Sequence, residues 1–182
     1  MIEEKYYKKL ASNIYWKDGN PYWNKYRSHT AKKDQLAGVI HLSGYRIIQV
    51  TLCGKSKNIR SSRLHWYMTY GYIPEIVDHI NRDRSDDRIE NLREVTPTQN
   101  CYNRIKTYSK CSSKYIGVSW SNTKNRWISY IKINKKRIHL GNFKCEHCAG
   151  RAYDLALIKY GLSEYGNFNF PKESYESTAS NA

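Results

Sequence analysis

Hydrophobic and polar residues alternate along residues 38–59, which is the spacing of half-buried β-strands. Two interruptions, at Ser43-Gly44 and at Cys53-Gly54, divide this run into strands, because glycine allows the backbone to turn there. Upstream, an Asp-Gly-Asn turn at residues 18–20 lies between two aromatic stretches. This part of the chain therefore predicts a small antiparallel sheet.

The hydrophobic positions then change to a mixed helical spacing in RSSRLHWYMTYG. We expect a helix that is capped by Ser61 or Ser62 and that ends at Gly71, with His65 packed or solvated on it. Beyond this helix, two short strands are predicted from PEIVDHIN and IENLREV, on either side of the polar loop RDRSDDR, and a second helix follows them. A unit this small buries little by itself, so we expect residues 1–105 to form one domain.

The last part of the chain has a pattern of its own. Three strand-like runs, YIGVSWS, RWISYIKI and KRIHLGNF, are joined by polar turns, and CEHCAGRAYDLALIKYG then carries one apolar helical stripe. This order predicts a three-stranded antiparallel sheet packed against one helix over residues 114–171. Residues 106–113, rich in serine and lysine, are predicted to be a linker, and residues 172–182 a disordered tail. The fold class predicted for the whole chain is α+β.

Charge narrows the choice of partner. The chain has 31 lysines and arginines against 16 aspartates and glutamates, a net charge of +15, which favours a polyanion such as nucleic acid or an anionic membrane. No run approaches the roughly 20 apolar residues of a membrane span, and the first residues lack the apolar core of a signal peptide. We therefore expect a nucleic acid as the partner, no membrane contact, and a cytoplasmic location.

The five cysteines are an odd number in a chain without an export signal, so we interpret them as reduced thiols. Cys145 and Cys148 have the spacing of half a zinc site. The nearby pair, Cys101 and Cys111, has nine residues between its members rather than the two to four of common zinc sites. The spacing therefore does not favour zinc.

The stretch VDHINRDRSDDRIENL concentrates acids in a basic protein. Residues 78–94 hold six acids and four arginines. Asp78 and His79 should point to opposite faces of a strand unless the chain bends there. A solvated loop would explain an Asp-His pair equally well, and we expect the remaining acids of the loop to solvate or cap it; these acids are Asp83, Asp86 and Asp87.

The spacing of this stretch resembles that of a known family. VDHIN, IENLREVT and TQN, preceded by RLHWYMTYGYIPE, are similar to the motif of HNH homing endonucleases, in the His-Asn-Asn variant of phages and introns, over residues 60–104. The resemblance implies a ββα-metal nuclease unit in which His79 is the general base and Asn91 orients that histidine and braces the loop. It implies that Asp78 and Asn100 bind one divalent ion. Hard oxygen donors of this kind suit Mg²⁺ or Mn²⁺.

The three strands and the helix of residues 114–171, together with NFNFP after them, resemble the AP2 DNA-binding domain. This resemblance implies that the sheet lies in the major groove with the helix behind it. Plant members carry several arginines on the first strand where this chain has Ile116 and two serines, so we expect phosphate contacts and few guanine contacts. A solvated basic face is the alternative. The DNA-binding positions implied are Ser119, Ser121, Lys124, Arg126, Tyr130, Lys132, Arg137 and His139.

Together with the two resemblances, these features predict a monomeric, metal-dependent HNH endonuclease of the homing type that binds double-stranded DNA, nicks one of its strands and is targeted by an AP2-like domain. A non-catalytic DNA-binding regulator with a decayed nuclease unit is the alternative from another class. RNA binding is less favoured, because the deep, narrow major groove of A-form RNA leaves a sheet no room to contact the bases.

Overall fold

The computed structural model describes residues 2–103 and 111–175, and these contain four helices and ten strands. All strand pairs are antiparallel, so the predicted α+β class with several small antiparallel sheets is confirmed. No helix in this part of the chain combines the length and the apolar character needed to cross a bilayer. The helices are α1 (Ile2–Ala11), α2 (Ser61–Tyr70), α3 (Pro97–Tyr102) and α4 (Glu146–Lys159). The strands are β1 (Ile14–Lys17), β2 (Asn20–Trp23), β3 (Val39–Ile40), β4 (Arg46–Leu52), β5 (Lys55–Arg60), β6 (Val77–His79), β7 (Leu92–Glu94), β8 (Val118–Ser121), β9 (Arg126–Ile133) and β10 (Lys136–Phe143).

The chain forms two compact units that divide between Thr96 and Pro97, whereas we expected the first domain to extend to residue 105. The difference arises at α3, which packs within the second unit. Tyr102 of this helix is buried beside Ile131, and its hydroxyl donates a hydrogen bond of 2.7 Å to the Lys132 carbonyl. Apolar burial and a hydrogen bond therefore assign α3 to the second unit, a choice that local sequence could not make.

The first unit is built around the sheet β3-β4-β5, with the hairpin β1-β2 and the helices α1 and α2. The predicted caps of α2 are not found. Arg60 occupies the N-cap position, while the Ser61 side chain is buried, with its hydroxyl oxygen 3.2 Å from the Arg46 carbonyl oxygen. The predicted stop is found, because Gly71 adopts a left-handed φ of 81°. The core of this unit includes Tyr6, Tyr7, Leu10, Ile14, Trp23, Ala37, Ile48, Val50, Ile59 and Leu64.

The second unit contains the sheet β10-β9-β8, and α4 packs on one face of it. Gly117, just before β8, has a φ of 72°, and a Cβ there would collide with the Tyr153 ring of α4. Only glycine fits both constraints.

Both predicted edges of this unit are partly folded. Ser113, assigned to the linker, is buried and donates to Glu146 Oε1 at 2.8 Å; residues 104–110 lie outside the described residues. Tyr175, assigned to the disordered tail, is 7% exposed and donates to the buried carboxylate of Asp154 at 2.9 Å. That carboxylate also accepts the backbone N–H of Asn169, at 2.9 Å, so it fixes the segment after α4. The predicted disorder is therefore wrong for residue 175, and residues 176–182 lie outside the described part.

The pairing of β10 with β9 shifts between His139 and Gly141. Leu140 is the extra residue of this β-bulge, so the alternation of faces restarts after it. Asn142, opposite Ile128, comes to the same face as His139, opposite Tyr130. The bulge turns Phe143 toward the opposite face.

Candidate active site and nucleic-acid interface

A buried hydrogen-bonded pair lies at the end of β6. His79 is 3% exposed and Asp87 is 1% exposed, and the His79 Nε2 lies 2.9 Å from Asp87 Oδ1. Ser61, the first residue of α2, donates its hydroxyl to the other oxygen of Asp87. Because an ionised carboxylate only accepts hydrogen bonds, this contact favours the tautomer with its proton on Nε2 and its lone pair on Nδ1. Asp87 therefore orients the imidazole and sets which nitrogen can accept a proton.

Our expectation that Asp87 would solvate or cap the loop is wrong. The chain after the polar loop returns beneath β6, so Asp87 points inward to two polar partners from other elements. Burial of a carboxylate is tolerated here because both of its oxygens accept hydrogen bonds. Sequence carried a weak signal at most, since Ser61 is 26 residues away and nothing local separates Asp87 from Asp86.

The expectation for Asp83 and Asp86 agrees with the contacts that they make. Asp83 Oδ1 accepts the backbone N–H and the hydroxyl of Ser85, at 2.9 and 2.7 Å, which closes a turn in the loop. The Arg88 guanidinium donates to both oxygens of Asp86 at 2.8 Å, and this contact lowers the pKa of Asp86 to about 2. These two acids shape the loop, while Asp87 belongs to the buried pair.

Asn91 braces the loop from inside. Its side-chain oxygen accepts the Asn81 N–H at 3.0 Å, and its amide group donates to Asn81 Oδ1 at 3.0 Å and to the Asp86 carbonyl at 2.8 Å. This geometry agrees with the bracing role that the resemblance implied. The orienting role fits Asp87, which contacts the ring of His79 directly.

His65 lies beneath the same cluster. Its ring stacks on Trp16 at 3.8 Å with the planes 5° apart, and its Nδ1 lies 2.6 Å from the Asp87 carbonyl. Burial lowers the pKa of His65, which favours the neutral ring. The prediction that His65 is packed or solvated agrees with this packed position.

Asp78, the first predicted metal ligand, lies opposite Arg93 in the β6-β7 pair. The Arg93 guanidinium donates to Asp78 Oδ2 from Nε at 3.0 Å and from Nη2 at 2.8 Å. Asn100, the other predicted metal ligand, is half-buried on α3 in the second unit. Carboxylate and amide oxygens are donors that fit Mg²⁺ or Mn²⁺, which keep several water ligands. Within the described residues, no group of three or more His, Cys, Asp and Glu side chains could hold a metal ion.

Seven of the eight predicted DNA-binding residues alternate onto one face of the second sheet. Cross-strand partners share a face, and the register pairs Tyr130 with His139 and Lys132 with Arg137. Ser121 pairs with Arg126 on the same side, and Ser119 joins them through Ile128. Lys124 lies in the exposed turn between β8 and β9. The predicted set therefore forms a continuous patch, with Ile131 facing away from it into the core.

The chemistry of this face is cationic and aromatic. The Arg137 guanidinium lies over the Tyr130 ring, 3.4 Å from its centre, so a flat cation is held against the sheet. Sequence reasoning missed Asn142, which the bulge brings to this face and whose Oδ1 lies 3.2 Å from His139 Nε2. Simple alternation from His139 would have placed Asn142 on the helix side, and no local signal marked the bulge.

Comparison with known proteins identifies the two parts. The family model described as HNH endonuclease matches residues 61–102, from α2 to α3. A stretch of 59 residues is 46% identical to APETALA2-like protein 2 of Oryza sativa subsp. indica, covering 32% of this chain and 14% of the rice protein. Another, of 65 residues, is 40% identical to AP2-like ethylene-responsive transcription factor TOE2 of Arabidopsis thaliana, covering 36% of this chain and 13% of that protein.

Residues 61–102 therefore resemble HNH endonucleases and another stretch of the chain resembles AP2-like proteins, so both resemblances are confirmed. It spans only a small part of the length of the plant relatives. A solved structure titled "DNA binding and cleavage by the HNH homing endonuclease I-HmuI" is similar at 21% identity and a TM-score of 0.39, over 80% of this chain and 82% of that one. A likeness at this level carries no argument about mechanism.

Proposed function

We propose that this protein is a DNA endonuclease of the HNH homing type that hydrolyses one phosphodiester bond with the help of a divalent ion. The observation that carries the proposal is the buried contact between His79 Nε2 and Asp87 Oδ1, 2.9 Å long, inside the segment that matches the HNH family. A base held by a second side chain in one tautomer is the arrangement that activates a water molecule.

In this mechanism, Nδ1 of His79 accepts a proton from the attacking water. Asp87 stabilises the imidazolium that forms, and Ser61 keeps the carboxylate in place. His79 is 3% exposed, so the proposal requires that its Nδ1 edge become accessible to water when DNA binds. We propose Asp78 as a ligand of the ion, which would supply charge neutralisation for the phosphate and the leaving oxygen. Asn100 as its second ligand stays a prediction.

The cationic face of the second sheet would hold the duplex. We propose that Lys132 and Arg137 contact phosphates and that Tyr130 fixes the Arg137 guanidinium in the direction of the DNA. The neighbouring serines and His139 are small or neutral donors and acceptors, which favours tolerant base contacts over strict guanine recognition. We propose a monomer that acts in the cytoplasm of its host cell.

The experiment is nicking of supercoiled plasmid in Mg²⁺ by the wild type and by His79→Gln and His79→Ala. We expect both variants to lose roughly 10²–10⁴ in rate while they retain DNA affinity. His29→Ala, an exposed histidine of the first unit, is the matched control and should nick like the wild type. Circular dichroism verifies folding. Tight binding without nicking by the wild type, over a range of divalent ions, would instead support the non-catalytic regulator.

A further inference from the structure

The turn between β3 and β4 carries a leucine whose side chain packs against no other described part of the first unit. Leu42, at its tip, is 103% exposed, and Val39 and Ile40 beside it are 70% and 49% exposed. Single exposed apolar residues are ordinary on protein surfaces, but three within four positions on one protruding element form a patch.

The turn is fixed by its own hydrogen bonds. The His41 N–H donates to the Tyr45 carbonyl at 2.9 Å, and the Gly44 N–H returns to the His41 carbonyl at 2.8 Å. The His41 Nδ1 lies 2.8 Å from the Ser43 hydroxyl and accepts the Ser43 N–H at 3.2 Å. Gly44 has a φ of 86°, which tight turns require. The backbone therefore presents Leu42 in one orientation.

The same turn is attached to the loop that precedes Asp87. Arg84 of that loop donates from Nη1 to the Ser43 carbonyl at 2.9 Å. Its guanidinium lies 5.1 Å from the centre of the Tyr45 ring, and that of Arg60 lies 4.3 Å from it. The Tyr45 ring is in turn 5.8 Å from the His79 ring. The apolar tip and the two exposed guanidiniums therefore lie on one surface of the first unit, and the buried candidate base lies next to Tyr45.

We propose that Leu42 is a wedge that enters the minor groove of the bound duplex and unstacks one base step beside the phosphate to be cut. The inference rests on the proposed nuclease function. The two guanidiniums beside Tyr45 suit contact with the phosphates that flank a groove, and apolar side chains inserted between base pairs kink DNA in other minor-groove binders. Leu42 is three residues from Tyr45, at most about 11 Å of chain, so the wedge acts within roughly five base pairs of the phosphate at His79.

The test uses the full chain carrying His79→Gln, so that the duplex remains intact. Duplexes carry 2-aminopurine at successive positions within five base pairs of the mapped nick, or across the binding footprint if the wild type does not nick. We expect the 2-aminopurine fluorescence to rise at one base step when the protein binds the duplex. Leu42→Ala should abolish the rise, whereas Leu42→Met, which keeps an apolar tip, and Leu155→Ala, an exposed leucine of α4, should retain it.

Cleavage supplies the second measurement. In the otherwise wild-type chain, Leu42→Ala should nick an intact duplex roughly 10- to 100-fold more slowly. The alanine side chain no longer compensates the free energy that unstacking the base step costs. A duplex with a mismatch at the identified step should restore its rate. A bound protein that produces no rise at any position would overturn the wedge while leaving the nuclease proposal intact. Sedimentation that shows a dimer disrupted by Leu42→Ala would also overturn it, because a second copy would then cover the patch.

Discussion

Replacement of Asp87 by asparagine separates the charge of this residue from its shape. The side chain is 1% exposed and makes two hydrogen bonds, to His79 and to Ser61. Asp87→Asn keeps the volume but exchanges charge-assisted hydrogen bonds for neutral ones, which costs about 1 kcal/mol of stability. It also removes the charge that stabilises the imidazolium and permits the wrong tautomer. We therefore expect nicking to fall by roughly 10²–10⁴, the contribution of a general base.

Asp87→Ala tests the structural part of the same contact. It leaves the buried N–H of His79 without its acceptor, whereas the Ser61 hydroxyl keeps the Arg46 carbonyl within 3.2 Å, so the free energy of unfolding should fall by about 1–3 kcal/mol. Urea denaturation measures this loss, and single-turnover nicking of a labelled duplex measures the rate. Asp83→Asn, an exposed acid in the same loop, is the matched control and should change stability by at most about 0.5 kcal/mol. If Asp87→Asn nicked as fast as Asp83→Asn, the orienting role of Asp87 would be refuted.

Three further predictions concern binding, metal and stability. Lys132→Ala and Arg137→Ala should each weaken DNA binding and reduce the log–log salt slope by about 0.9 for each phosphate that is no longer neutralised, whereas Lys159→Ala on α4 should leave both unchanged in fluorescence anisotropy titrations. Asp78→Ala should abolish Mg²⁺-supported nicking, with partial recovery in Mn²⁺; equal rates with and without EDTA would contradict the metal requirement. Asp154→Ala removes the acceptor for two backbone N–H groups and for the Tyr175 hydroxyl, so thermal unfolding of the second unit should shift to lower temperature, with an unshifted transition as the contrary result.

The elements of this protein could be predicted where periodicity is local. The bounds of β9 and β10 match the predicted runs residue for residue, and the left-handed Gly71 ends α2 as expected. The predictions that failed concern features that depend on contacts between residues distant in sequence. Asp87 is buried because Ser61 and His79 meet it, and α3 joins the second unit because Tyr102 finds a buried place there. Neither partner is visible in a local pattern.

The candidate site shows the same limit, because local sequence does not reveal partners that are distant along the chain. The resemblance to the HNH motif implies His79, Asn91 and Asp78, and the structure gives each a specific polar partner. Spacing identifies which residue types an arrangement needs, but it does not determine which of two adjacent acids turns inward. Burial of one polar group requires a partner to compensate it, and that partner is chosen by the fold as a whole.

The extra residue at Leu140 lets β10 tolerate a change of chain length. Because Leu140 has no partner in the register, its deletion would leave His139 opposite Tyr130 and Asn142 opposite Ile128, on the same outward face as before. The bulge therefore absorbs a one-residue insertion or deletion at this point, and the outward face of the sheet keeps its order of side chains.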